Sequence, residues 1–444
     1  MSYIKFGFAL LFSLFFSTSQ LSAGNGSHGP GAQEHGNGPG PGPGHMNGHG
    51  PFYGAKNLAY YGDWDSNRVF IIDVDKMSLL KIVEDTGDGP YGVDQQDPSS
   101  AYVLTRKTES LTIIDNHHIE NTGIIPLDHK PRSTNFNPDT GLSLVSGANK
   151  VMTSIIQVEN DAVIDVVGHD VIVEPHDFGG SLTTGHPLWI NNTHFFMLDR
   201  VYRQIQLWSR HTGLLSVLNT PTSVHHVFQS PLAHSNNIYY AVVEGNQLEG
   251  LSPSILRFKI QNWKMEITGE AILSDYDGGL DPAVMGSHHA DFHPDGVHIY
   301  IGSAEGHVFV VNKNSMTVVT MIDTGLGSGH TTFVPLHNVA FVTNHNDTYM
   351  TVIDTVSHTW LRDIEVAVDS SADYKSQAHT SGVSADQRYF YSAASHDGVF
   401  FRIDVETLDE ETVGISWLNL ELLIDDDVNI LMGSFIWDGE GDNM

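Results

Sequence analysis

The 444-residue sequence predicts an all-β fold, a closed β-propeller of eight blades, from three observations. A hairpin unit recurs along the chain. Its copies start roughly 40 to 50 residues apart, the period of a four-stranded blade. Sustained helical periodicity is absent. The unit is a short β-branched run, a polar turn and a second such run. It reads VFIIDVDKMSLLKIVEDTG (69–87), LTIIDNHHIENTGIIPL (111–127), VFVVNKNSMTVVTMIDTG (308–325) and MTVIDTVSHTWLRDIEV (350–366). Further copies begin at Val151, Ile205, Ile255 and Val399.

These hairpins supply the two outer strands, c and d, of each blade. Between them lie the inner strands a and b, as in HADFHPDGVHIYIGSAEG and TSGVSADQRYFYSAASHDG. Each such stretch is a first strand, a polar turn with Asp and an aromatic second strand. The first blade, near Asn57, lacks an inner strand of its own. The C-terminal run VNILMGSFIW (428–437) is expected to return, complete that blade and close the ring. Seven blades with a decorated terminus is the second choice, and so many regular copies disfavour a β-sandwich.

Outside the repeats, Lys5 precedes an apolar run from Phe6 to Phe16 and then Leu21-Ser22-Ala23. A positive start, a short apolar stretch and small residues make residues 1–23 an expected export signal. No later stretch qualifies as a membrane-spanning helix. Residues 24–54 are dominated by Gly and Pro, with almost no side chains able to build a core, so disorder is expected. They carry His28, His35, His45 and His49, which read as a weak metal-capturing tract. Residues 55–444 remain as one propeller domain.

Composition limits the chemistry. Without cysteine, an exported chain has neither disulfides nor thiolate ligands, so a metal site must use His, carboxylate or Met. A formal net charge of −32 makes nucleic acid or an anionic membrane a poor partner. Metalloprotease, nucleophile-elbow, P-loop and haem-attachment motifs are all missing, so no catalytic residue is assigned and enzymatic activity is not expected.

The histidines are not scattered. His129, His176, His225, His226, His288, His289, His330 and His379 all stand at the head of a first strand, where a propeller turns its chain toward one mouth. His345 and His396 fall at b–c turns on the same face, with Asp177, Asp291 and Glu305 as neighbours. A neutral imidazole is the commonest metal ligand. A subset of His176, His225, His288, His330 and His379, with His129 and Asp177 at the rim, is therefore expected to bind a transition metal. Four such ligands suit zinc, and ligand type leaves Cu2+ open. His186, His194, His234, His293, His298 and His337 are expected near a–b hairpins away from the mouth, and His117, His118, His211 and His358 in c–d turns.

The segment LAYYGDWDSNRVFIIDVDKMSLLKIV, with the later GDGPYGVDQQDPSSAYVLT, resembles YVTN-type propeller repeats. The layout of an export signal, a mobile His-rich start and histidines at inner-strand heads resembles the AztD-type periplasmic zinc metallochaperones. That resemblance implies a monomeric periplasmic protein that stores zinc at the propeller mouth. It also implies a partner, the solute-binding protein of a zinc ABC importer. Nitrous oxide reductase also gathers histidines at a propeller hub, but its cysteine-bound electron-entry copper has no counterpart here. A metal-free scaffold or lactonase-like propeller is the remaining alternative.

Overall fold

In the computed structural model, residues 57–97, 99–169, 182–230, 237–367 and 378–436 are described. They form eight four-stranded antiparallel sheets. The expected eight-bladed propeller is the observed fold. The C-terminal strand Ile430–Ile436 pairs antiparallel with Leu58–Asp63 and takes the innermost place of blade 1, whose other strands are Val69–Asp73 and Ser78–Val83. The two ends of the domain are thereby locked into one sheet.

Burial changes with radius. Middle strands such as Val69–Asp73 are buried along their whole length, because neighbouring blades cover both faces and leave no solvent side for a polar residue. Outermost strands such as Glu120–Pro126 alternate exposed and covered positions. The apolar clusters lie between blades. Phe196, Leu198 and Leu207 of one blade pack against Val227, Tyr239, Ala241 and Leu256 of the next. The closing seam joins Tyr391, Phe400 and Leu418 of the last blade to Tyr61, Phe70, Ile72 and Ile430 of the first.

The c–d turns explain why the hairpins repeat so visibly. An Asp or Asn ends strand c and its side-chain oxygen accepts from backbone N–H groups two or three residues on. Asp115 accepts from His117 and His118, Asn312 from Asn314 and Ser315, and Asp354 from Val356 and Ser357. The fourth residue after each of these turns left-handed: Ile119 (φ 53), Met316 (φ 54) and His358 (φ 56).

One irregularity matters for the site. The inner strands Pro131–Asn137, Val224–Phe228, Ser287–Phe292 and Ser328–Val334 belong to blades 3, 5, 6 and 7. Each loses register with its neighbour at the same place, between Pro131 and Thr134, Val224 and Val227, Ser287 and Ala290, and Ser328 and Thr331. Consecutive side chains of a regular strand point to opposite faces. A break in the ladder re-aims two adjacent residues. The residues so released are Arg132–Ser133, His225–His226, His288–His289 and Gly329–His330.

Candidate metal centre

The bulged heads of blades 5, 6 and 7 bring their histidines together. His225 and His226, His288 and His289, and His330 join His186 from the head of blade 4, His345 from a b–c turn and His379 from the head of blade 8. Their rings form an unbroken chain of contacts. His186 and His225 lie 5.1 Å apart between centroids, His225 and His289 4.4 Å, and His289 stacks on His330 at 3.7 Å. His345 stacks on His379 at 3.8 Å, and His288 touches both ends, 5.0 Å from His225 and 5.0 Å from His345.

Two triads within this chain have the spacing of ligands. Each of His186, His225 and His289 offers a ring nitrogen within 4.8 Å of the other two, and so do His330, His345 and His379. Nitrogens on one zinc stand roughly 3.3 Å apart, given bonds of about 2.0–2.1 Å, so small side-chain rotations close either set. The first triad is fully buried, whereas His330 and His345 are partly exposed.

Hydrogen bonds fix several tautomers. Glu244 can only accept, so His225 donates from Nδ1 to Oε1 (2.9 Å), which leaves Nε2 as a lone pair. That Nε2 faces His289 Nε2 at 3.0 Å. The other Glu244 oxygen accepts from Arg200 Nη2 at 2.5 Å, and Arg200 Nη1 also donates to the Leu182 carbonyl (2.8 Å). A carboxylate behind a ligating imidazole orients it and raises its basicity. His345 donates from Nδ1 to the Ala378 carbonyl (2.7 Å), and His226 from Nε2 to the Ala290 carbonyl (3.2 Å). The lone-pair nitrogens of these two rings, with His330 Nε2, are buried and accept no hydrogen bond among the described residues.

Burial dominates the electrostatics. It pushes His226 and His345 down to about 4 and holds His186, His225, His288, His289, His330 and His379 well below the ordinary histidine value. All eight are therefore neutral at pH 7, the form that binds metal. Arg132, fully buried at the corresponding head of blade 3, lowers His186 and His225 of the first triad further by its charge.

Gly329 is part of the site by what it lacks. A Cβ there would stand 1.9 Å from His345 Nε2. His345 therefore occupies the place that the first residue of the pair fills in blades 5 and 6.

Of the residues singled out in the sequence, His225, His288, His330 and His379 are brought together, with His226, His289 and His345. His129 is not. It is buried in blade 3, where Nε2 meets Ser154 Oγ at 2.9 Å. His176, Asp177, His28, His35, His45 and His49 lie outside the described residues. His186 corrects the sequence reading, which placed it beside an a–b hairpin. The inner strand of blade 4 is only Leu188–Trp189, and His186 precedes it at the mouth. Asp291 and Glu305 are engaged elsewhere, by the Thr331 and Gly286 N–H groups. Glu244, not singled out, is the carboxylate that reaches the cluster. On the opposite face Asp295 accepts from His298 Nδ1 (2.6 Å), beside His293 and His358.

Fold and site define an eight-bladed propeller with a buried histidine cluster at one mouth. Comparison with models of protein families finds no match, and comparison with curated protein sequences finds none. Among solved structures the chain is similar to apo AztD from Citrobacter koseri. The TM-score is 0.58 at 11% identity, covering 86% of this chain and 98% of that one. It is also similar to the dihydro-heme d1 dehydrogenase NirN in complex with DHE, with a TM-score of 0.59 at 11% identity, over 85% of this chain and 74% of that one. Both are likenesses of fold.

Proposed function

We propose that this chain is an exported zinc-binding protein that holds the ion at the histidine cluster and passes it to a second protein. One observation carries the reading: three buried imidazole nitrogens, on His226, His330 and His345, have no hydrogen-bond partner among the described residues, on rings that each pack against another imidazole. A buried acceptor left unsatisfied costs about 1–3 kcal/mol. Three in one place, with neutral rings around them, are the cost of a site kept ready for a cation. The donor set is nitrogen throughout, which suits zinc; Cu2+ binds such donors more tightly and is the second reading.

Zinc here is cargo. The similarity in fold to AztD supports delivery to the solute-binding protein of a zinc importer in the periplasm. The export signal read in residues 1–23 agrees with that compartment, and the His-rich residues 24–54 would capture the ion. His225, held by Glu244, anchors it. The test is equilibrium binding of Zn2+ to the purified chain in competition with a chelator of known affinity. Tight binding of about one ion is expected, lost on His225→Ala/His289→Ala. Absence of binding by the wild-type chain would overturn the reading.

A further inference from the structure

We infer that the cluster is two metal stations in series, an outer one at His330, His345 and His379 through which the ion enters and leaves, and an inner one at His186, His225 and His289 where it is held. This rests on the metal-binding reading above and extends it to the route of exchange. Two triads that share no residue each have ligand spacing. Their burial differs in one direction. His186, His225 and His289 are 3%, 0% and 3% exposed, whereas two of the outer three reach solvent. In the inner station Glu244 stands behind a ligand, His225, which favours retention there.

The stations are linked. His288 is in ring contact with both, 5.0 Å from His225 and 5.0 Å from His345, and His289 of the inner station stacks on His330 of the outer at 3.7 Å. An ion can thus exchange one imidazole at a time without being stripped of all its ligands. Binding sites in sequence, each weaker than a full cage, let a tightly held ion leave.

Charge sets the occupancy. The donors are neutral, the Glu244 charge is matched by Arg200, and Arg132 adds a buried cation whose field reaches the inner triad. Among the described residues neither triad includes a carboxylate to offset a second dication, so one ion moves between two stations.

Gly329 gives a test that removes no imidazole. Its backbone does not need positive φ, and a Cβ would meet only the His345 ring among its three nearest atoms. Gly329→Ala therefore displaces His345 and breaks the outer station. The measurement is Zn2+ affinity by chelator competition, with loading and release rates by stopped flow, on the full chain. Gly329→Ala is expected to slow both rates about tenfold or more, with a smaller loss of affinity than the inner variant. His186→Ala/His225→Ala is expected to keep one Zn2+, bound at least about 100-fold more weakly and exchanging rapidly. If Gly329→Ala melts early, His345→Ala/His379→Ala replaces it with the same expectation. Equal loss of affinity in both variants would mean a single shared site, and unchanged rates in the outer variant would take that triad off the route. Either result overturns the inference while leaving the metal reading intact. Wild-type protein that binds no Zn2+ overturns the metal reading itself.

Discussion

Glu244 stands between a cation and an imidazole: one oxygen takes the His225 Nδ1 proton at 2.9 Å while the other takes Arg200 at 2.5 Å. All three side chains are nearly or fully buried. The pair satisfies Arg200 and at the same time turns His225 Nε2 toward the cluster. Glu244→Gln keeps the shape and removes the charge. Zinc affinity is expected to fall about 10–100-fold. Stability is expected to fall by about 3 kcal/mol, because Arg200 is left without its counter-ion. Chelator competition and denaturant melts on the same preparation measure both.

Acid should act on the fold and on the ion differently. In the unfolded chain these histidines titrate near 6.5, whereas folded His226 and His345 are held down to about 4. Between those values the unfolded chain binds protons that the folded chain does not, so stability falls as pH drops below 6.5. Above 6.5 both states are neutral and these groups contribute no pH dependence. The two groups together should remove about 6 kcal/mol by pH 4, near 1.4 kcal/mol per unit each. Zinc affinity of the cluster should be nearly flat from pH 6 to 8, since its ligands are already deprotonated. Melts of the apo protein and zinc titrations over that range check the two halves separately.

Residues 24–54 should behave otherwise. Their Gly- and Pro-rich composition implies an ordering cost when their histidines bind a metal. Deleting residues 24–50 is expected to leave the tight site and to slow transfer to a periplasmic zinc-binding acceptor. Tethering raises the effective concentration of the tract's histidines for the rest of the chain. A competition or stopped-flow assay with protein loaded with one equivalent measures it. Equal rates would reduce the tract to a spacer.

Ring closure carries much of the stability. Ile430 and Met432 are fully buried in the strand that completes blade 1. Ile430→Ala should cost about 3 kcal/mol in chemical denaturation. A chain ending before residue 428 should lose its cooperative transition, since blade 1 would lack its inner strand.

The ring was legible because blades repeat a local signal, the Asp- or Asn-capped c–d turn, and local signals survive in one sequence. The closing strand was legible because blade 1 was one strand short. Histidines at strand heads were equally visible, yet position along a strand does not say which way a side chain points. His129 heads blade 3 but turns to Ser154. His225 and His226 are adjacent and both join the cluster, which only the register break allows. His186 was missed because the inner strand of blade 4 is two residues long and leaves no β-branched run to mark its head. Glu244 and Gly329 were invisible for a different reason: each matters through a contact across the two inner strands of its own blade, Glu244 with His225 in blade 5 and Gly329 with His345 in blade 7.

Metal content of untagged protein taken from its native compartment bears most directly on the role of the cluster, with His225→Ala/His289→Ala prepared alongside. About one zinc per wild-type chain, absent from a variant that keeps its propeller circular dichroism, is the predicted result. Wild-type protein that arrives metal-free and takes up no Zn2+ or Cu2+, or a variant that carries as much metal as the wild type, would contradict it.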